Sequence, residues 1–230
     1  MTTERSVTGT VRGVILDVDG TLVDSNRHHA QAWFDTFREA GLECGTVLDL
    51  QRLIGMGSDK LIPAAVGLDG GSDEAHHLSE RRAEIFESLY LRTLRPTPGA
   101  GALVERLRDR GFRLSVASSA RPDELRHLLE VADVAWLAER ASSGDEVDGS
   151  KPEPDVVEAA LAELGLPAAE VAMIGDTPYD VEAGERAGVT VIGLRSGGWD
   201  DTGLRGAAAI YRDPSDLLDQ FDASPLAAGG

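Results

Sequence analysis

Val11-Arg12-Gly13-Val14-Ile15-Leu16 runs straight into Asp17-Val18-Asp19-Gly20-Thr21-Leu22, and on this stretch the fold turns. A run rich in β-branched residues that ends in Asp-Val-Asp-Gly predicts a buried strand and then a turn. Asp17 and Asp19 are two apart, so an extended chain presents both to the same side. Gly20 lets the chain turn away sharply behind them.

Downstream of Arg95-Pro96-Thr97-Pro98-Gly99 the same texture returns in alternation. Leu103, Val104 and Leu107 mark a helix ended by Gly111. Strands are expected at Phe112 to Ser118, Val171 to Gly175 and Val189 to Leu194, with a last one at Ala207 to Tyr211. Helices are expected from Pro122 to Leu129, Pro154 to Leu164, up to Ala187 and from Ser215 to Phe221. The tail Ala223 to Gly230 reads as frayed. Strands alternating with helices imply an α/β fold with a parallel sheet covered on both faces.

From Asn26 to Leu94 only helical signals occur. Ala30, Trp33, Phe34 and Phe37 share a face closed by Gly41. Ser58 is the expected N-cap of a helix through Ala65. Leu78, Ile85, Phe86 and Leu89 are expected on one face of a longer helix. An all-helical insert thus interrupts the α/β domain after its first strand.

Composition narrows the function. Apolar residues make up 42% of the 230, enough for a sizeable core, and the formal net charge is -18. Such acidity argues against nucleic acid and anionic membrane as partners, which need clustered Lys and Arg. No apolar run reaches the roughly 18 residues of a spanning helix. Met1 to Thr10 is short and polar without a secretory apolar stretch, which predicts a cytoplasmic protein. Cys44 is the single cysteine and reads as a buried small residue. Of 22 basic residues only Lys60 and Lys151 are lysines. Where Arg is the default, these two positions suggest a need for a compact charge.

Ligands of an open parallel sheet bind at the carboxyl ends of its strands. Four polar clusters are expected there: Asp17 to Thr21, Ser118-Ser119, Lys151 in Gly149-Ser150-Lys151-Pro152-Glu153-Pro154-Asp155, and Asp176 to Asp180 in Gly175-Asp176-Thr177-Pro178-Tyr179-Asp180. Converging carboxylates repel unless a cation neutralises them. Oxygen ligands without a Cys/His set suit Mg2+ rather than zinc. A lysine beside them suits a phosphate, and a carboxylate can itself attack phosphorus.

The segment Asp17 to Leu22, followed in order by Ser118, Lys151-Pro152-Glu153-Pro154-Asp155 and Asp176/Asp180, resembles the four motifs of the haloacid dehalogenase superfamily. The resemblance covers Val11 to about Asp219. It implies a Rossmann-like sheet with strand one central. The catalytic core would comprise residues 1–25 and 95–230, and a helical cap residues 26–94. It implies a phosphohydrolase with Asp17 as nucleophile and Asp19 as general acid/base. Ser118, with Ser119 able to share the role, and Lys151 would hold the phosphoryl group, along with Gly20 and Thr21. Mg2+ would be bound by Asp17, Asp176 and the backbone carbonyl of Asp19. Asp180 would either ligate or orient from behind. The expected partner is a small phosphorylated substrate, for a monomer or homodimer.

Within the superfamily, members that cleave carbon–halogen bonds lack the second aspartate, because a halide needs no proton. Phosphonoacetaldehyde hydrolases lack it too and use a cap lysine, from whose place Lys60 is offset by about two residues. Asp24 to Trp33 is similar to the hinge segment of beta-phosphoglucomutase, with His29 matching a functional histidine. The Gly-Asp-x-x-x-Asp form of motif four is instead that of many phosphatases, such as those for phosphoglycolate. Leu53 to Lys60 is the loop expected to meet the leaving group, with Lys60 either binding a substrate anion or standing exposed. His28 reads as hinge packing, and His76, His77 and His127 as exposed helix residues. The expected reaction is hydrolysis of a small phosphate monoester, with phosphotransfer between sugar hydroxyls as the alternative.

Overall fold

The computed structural model describes residues 10–143 and 150–230. The expectation of an N-terminus without a secretory stretch rests almost wholly on residues 1–9 and, like Gly149, lies outside them.

Strand β1, Gly13–Leu16, is buried along its whole length. It pairs in parallel with β2, Arg113–Ser118, on one side and β4, Val171–Gly175, on the other. Strands β3, Ala141–Ser143, β5, Thr190–Leu194, and β6, Ala209–Tyr211, complete a six-stranded sheet of order β3-β2-β1-β4-β5-β6. Strand one is therefore central, as expected. Register does the rest. Leu16 lies opposite both Val116 and Ile174, so the ends of three strands come level. Asp17, Ser118 and Asp176 leave the sheet side by side.

The pleat sorts the core. Val14 and Leu16 enter one apolar cluster with Leu103, Leu107, Leu125 and Leu128. Ile15, between them, enters the opposite cluster with Ala117, Met173, Val157 and Val181. The first face is covered by α5, Ala100–Asp109, α6, Pro122–Val131, and α9, Pro214–Asp219; the second by α7, Asp155–Leu164, and α8, Pro178–Ala187. Each fully buried aliphatic side chain contributes about 1.5–3 kcal/mol.

Between β1 and α5 lie α1, Asn26–Glu39, α2, Val47–Gln51, α3, Ser58–Val66, and α4, Asp73–Ile85. They enclose a third apolar cluster around Trp33, Phe37, Leu50, Leu61 and Ile62.

Several expectations are corrected. Leu89 does not continue the Leu78–Ile85 face; it is 59% exposed. A π-helical segment, Phe86–Tyr90, follows α4 and shifts the helical phase, so Phe86 turns inward and Leu89 outward. The C-terminal tail is docked, not frayed: Leu226 is buried, and Arg110 donates to the carbonyls of Ala227 and Gly229. Ser58 is the first helical residue and Gly57 the cap. The short α2 and β3 were not expected at all. No helix among the described residues is long and apolar enough to cross a membrane.

Candidate active site

The strand ends set Asp17, Lys151, Asp176 and Asp180 into one buried cluster. Lys151 Nζ donates to Asp17 Oδ1 at 2.5 Å and pairs with Asp180 Oδ1 at 2.7 Å. One carboxylate oxygen from each of Asp17, Asp176 and Asp180 lies within 4.8 Å of the others. Three buried carboxylates thus share a single ammonium. Burial, and then the Asp180 carboxylate, raise the Asp17 carboxyl to about 7 against the opposing pull of Lys151. Burial, with Asp17 and Asp180 beside it, lifts Asp176 well above the ordinary carboxylate value. Burial works against the charge on Lys151, but Asp17 and Asp180 outweigh it and hold its ammonium above the usual value. A set so short of positive charge fits a hard divalent cation on oxygen ligands.

Local structure builds this cluster. Thr177 caps α8, accepting from Asp180 N, while Asp180 Oδ2 accepts from the backbone of Asp176 and Thr177 and from the Thr177 hydroxyl. Asp180 is therefore a helix-start residue and a partner of Lys151 at once. Thr21 Oγ1 donates to Asp176 Oδ1 at 3.0 Å, and Asn26 Nδ2 to Asp176 Oδ2 at 2.8 Å. Gly20 has φ +79, and a Cβ on it would stand 2.1 Å from Asp176 Oδ2. A Cβ on Gly197 would stand 1.9 Å from the same oxygen. Gly20 and Thr21, expected against phosphate, thus stand against Asp176.

Asp19 lies at the same cleft but faces another way. Its Oδ1 is hydrogen-bonded to His29 Nε2 at 2.7 Å and accepts from Ser25 Oγ at 2.5 Å. Burial raises its pKa, but His29, Ser25 and Arg82 together outweigh burial and hold it below the usual range. Its carboxylate stands outside the three-carboxylate cluster.

The cleft has a volume of about 550 Å³ and is walled by the core on one side and the insert on the other. Asp17, Asp19 and Lys151 form its floor, and Gly55, Met56 and Ser58 face them across it. The expected loop is therefore in place. Ser119 also lines it, its buried hydroxyl without a hydrogen-bond partner among the described residues, whereas Ser118 Oγ is turned to accept from Ala120 N. Lys60 is absent from the cleft wall. It donates to the Ser150 carbonyl at 2.6 Å and pairs with Glu153, so it grips the chain next to Lys151. Sequence reasoning missed Asn26, Gly197, Arg82 and Glu124. Asn26, at the first turn of α1, is a buried amide that could have been suspected from its place after the acidic turn.

Buried carboxylates and one lysine at the carboxyl edge of a parallel sheet, under a helical insert, define an α/β enzyme of the kind that handles a small anionic substrate. A family model described as haloacid dehalogenase-like hydrolase matches residues 11–188. The chain belongs to that family. It is 32% identical over 216 residues to a phosphoglycolate phosphatase of Rhodospirillum rubrum, covering 90% of each chain. A crystal structure of a hydrolase from Pseudomonas syringae superposes with a TM-score of 0.85 at 30% identity, over 92% of this chain and 98% of that one. The fold is shared with a beta-phosphoglucomutase of Clostridium difficile, TM-score 0.80 at 15% identity, over 94% of this chain and 97% of that one.

Proposed function

We propose that the protein is a Mg2+-dependent phosphatase that hydrolyses a small phosphate monoester through an aspartyl-phosphate on Asp17. The observation that carries this reading is the contact of Lys151 with Asp17 at the floor of a cleft that Asp19 also lines. An Asp17 oxygen attacks phosphorus, and the bond to the ester oxygen breaks. Asp19, entering the step protonated, supplies its proton to that oxygen and is left as the carboxylate that His29 and Ser25 hold. Lys151 and Ser119 hold the phosphoryl oxygens. Water then enters, Asp19 takes its proton, and the acyl phosphate is cleaved to phosphate and free Asp17. Asp17 and Asp176, with the Asp19 carbonyl, would hold Mg2+, and Asp180 would orient Lys151. Bound Mg2+ offsets the carboxylate charge and that of the transferring group. Residues 1–25 and 95–230 would act as core and 26–94 as a cap closing over the substrate.

The names of the relatives make phosphoglycolate the first ester to try, within a panel that includes sugar phosphates and nucleotides. A second reading, phosphotransfer between sugar hydroxyls, is favoured by one observation: His29 holds Asp19, as a gate against water requires. Incubation with beta-glucose 1-phosphate, a trace of the 1,6-bisphosphate and Mg2+ separates the two. Free phosphate from several esters with no isomerised sugar is expected. Glucose 6-phosphate formed much faster than phosphate would instead establish the mutase.

Two further outcomes are expected. Gly197→Ala pushes a methyl against Asp176, so the Mg2+ needed for half-maximal activity should rise about 10–100-fold. An unchanged Mg2+ titration would contradict Asp176 as a ligand. In chelator, stability should also fall with pH. Asp17 has a folded pKa of about 7 against an ordinary 3.8, so between those values the folded state binds more protons than the unfolded one. Stability is then lost as pH rises through this window. A melting temperature that climbs with pH across it, metal-free, would refute the crowding of these carboxylates.

A further inference from the structure

A buried chain of side chains leads from Asp19 along the wall of the cleft, through three helices. His29, on α1, holds Asp19 Oδ1 with Nε2 and presents Nδ1 to Glu124 Oε1 at 3.9 Å, an electrostatic contact rather than a hydrogen bond. Both ring nitrogens thus face carboxylate oxygens. The ring stacks on Phe86, centroids 4.0 Å apart and planes within 10°. Glu124, on core helix α6, accepts from Arg82 Nη1 on insert helix α4 through both oxygens, at 2.8 and 3.1 Å. Arg82 lies over the rings of Trp33 and Phe86, at 5.6 and 5.8 Å. The side chains of His29, Glu124 and Arg82 are 7%, 10% and 12% exposed. An ion pair this far from water is costly to assemble, and removing one partner leaves the other uncompensated. Glu124 is the only member of the chain that comes from the core beyond β1. It meets two insert helices, α1 through His29 and α4 through Arg82.

We infer that Glu124 is a positioning residue for the proton-transfer step: it orients the His29 ring, and through it Asp19, once Arg82 of the insert has engaged it. The inference rests on Asp19 being the acid of the proposed reaction. It goes further by making that acid's placement depend on an ion pair between insert and core. Closure of the insert and delivery of the proton are then one event. Glu124 lines the cleft but pairs with His29 and Arg82, whereas Lys151 pairs with Asp17 and Asp180, so loss of Glu124 should leave attack by Asp17 intact.

That split is measurable, because leaving groups differ in their need for a proton. An alkoxide needs one, whereas 4-nitrophenolate leaves without it. The experiment compares kcat/KM for the best alkyl ester of the panel above with that for 4-nitrophenyl phosphate, in wild type and Glu124→Gln. The expected result is a loss of about tenfold or more on the alkyl ester, with the aryl ester within about twofold. In a His29→Ala background the selective loss should vanish, since Glu124 acts through that ring. Arg82→Lys, which loosens Glu124 from the insert side, should show the same selectivity and keeps the test decisive if Glu124→Gln fails to fold. Equal losses on both esters, or none, would overturn the positioning role and leave Glu124 as a packing residue. If wild type cleaves neither ester, the phosphatase reading falls, and the inference with it.

Discussion

Asp17→Asn should fold and turn over no substrate, with residual activity below about 1% of wild type. An amide cannot attack phosphorus, and no other carboxylate of the cluster replaces it: Asp176 is held by Thr21 and Asn26, and Asp180 by the start of α8. Folding should survive because the substitution relieves the site. Asp17, Asp176 and Asp180 crowd one ammonium, and neutralising one of them leaves Lys151 its pair with Asp180. The metal-free variant should therefore melt no lower than wild type. Steady-state kinetics on the best ester, with thermal melts in chelator, check both halves. Activity well above that level would remove Asp17 as the nucleophile, and a large drop in melting temperature would show that its charge is structural.

Chelation should be equally complete in its effect. With at least Asp17 and Asp176 facing each other in a buried site, withdrawal of the cation leaves negative charge that Lys151 alone does not balance. Activity should vanish in excess chelator and return with Mg2+. Binding to the folded state alone also stabilises it, by about 2.7 kcal/mol at a hundred times Kd. At roughly 2–4 °C per kcal/mol for a chain of this size, the melting temperature should rise by about 5–10 °C. Full activity in chelator, or a melting temperature indifferent to Mg2+, would refute the metal assignment.

Much of this site could be read in the sequence because a parallel sheet projects its chemistry to one edge. Asp17 and Asp176 follow directly on apolar strands and Ser118 ends one, and their convergence needs only parallel pairing in register. Lys151 is likewise marked by its place before a proline-rich helix start. Arg82 and Glu124 carry no such mark. Each is one charged residue among many on a helix, and only the docking of the insert on α6 brings them to His29. Leu89 misled for a related reason: a 3.6-residue period cannot reveal the π-helical segment that rotates it outward. Leu226 looked like frayed tail because what buries it is distant in the chain, at the Val11 and Arg110 end of the core. Lys60 shows the reverse case, a residue whose scarcity pointed to a need for an ammonium but whose partners are Ser150 and Glu153 rather than the cleft. In physical terms, strand ends and caps are local; ion pairs between packed elements are not.

The most direct measurement is to trap the acyl phosphate. The enzyme, turning over its best ester with Mg2+, is quenched with borohydride, digested and analysed by mass spectrometry. An aspartyl-phosphate is an activated acyl group and is reduced to the alcohol, whereas free carboxylates are untouched. The expected result is homoserine at position 17, formed only in the presence of substrate and absent from Asp17→Asn. Reduction at another carboxylate, or none at all while turnover proceeds, would contradict covalent catalysis by Asp17.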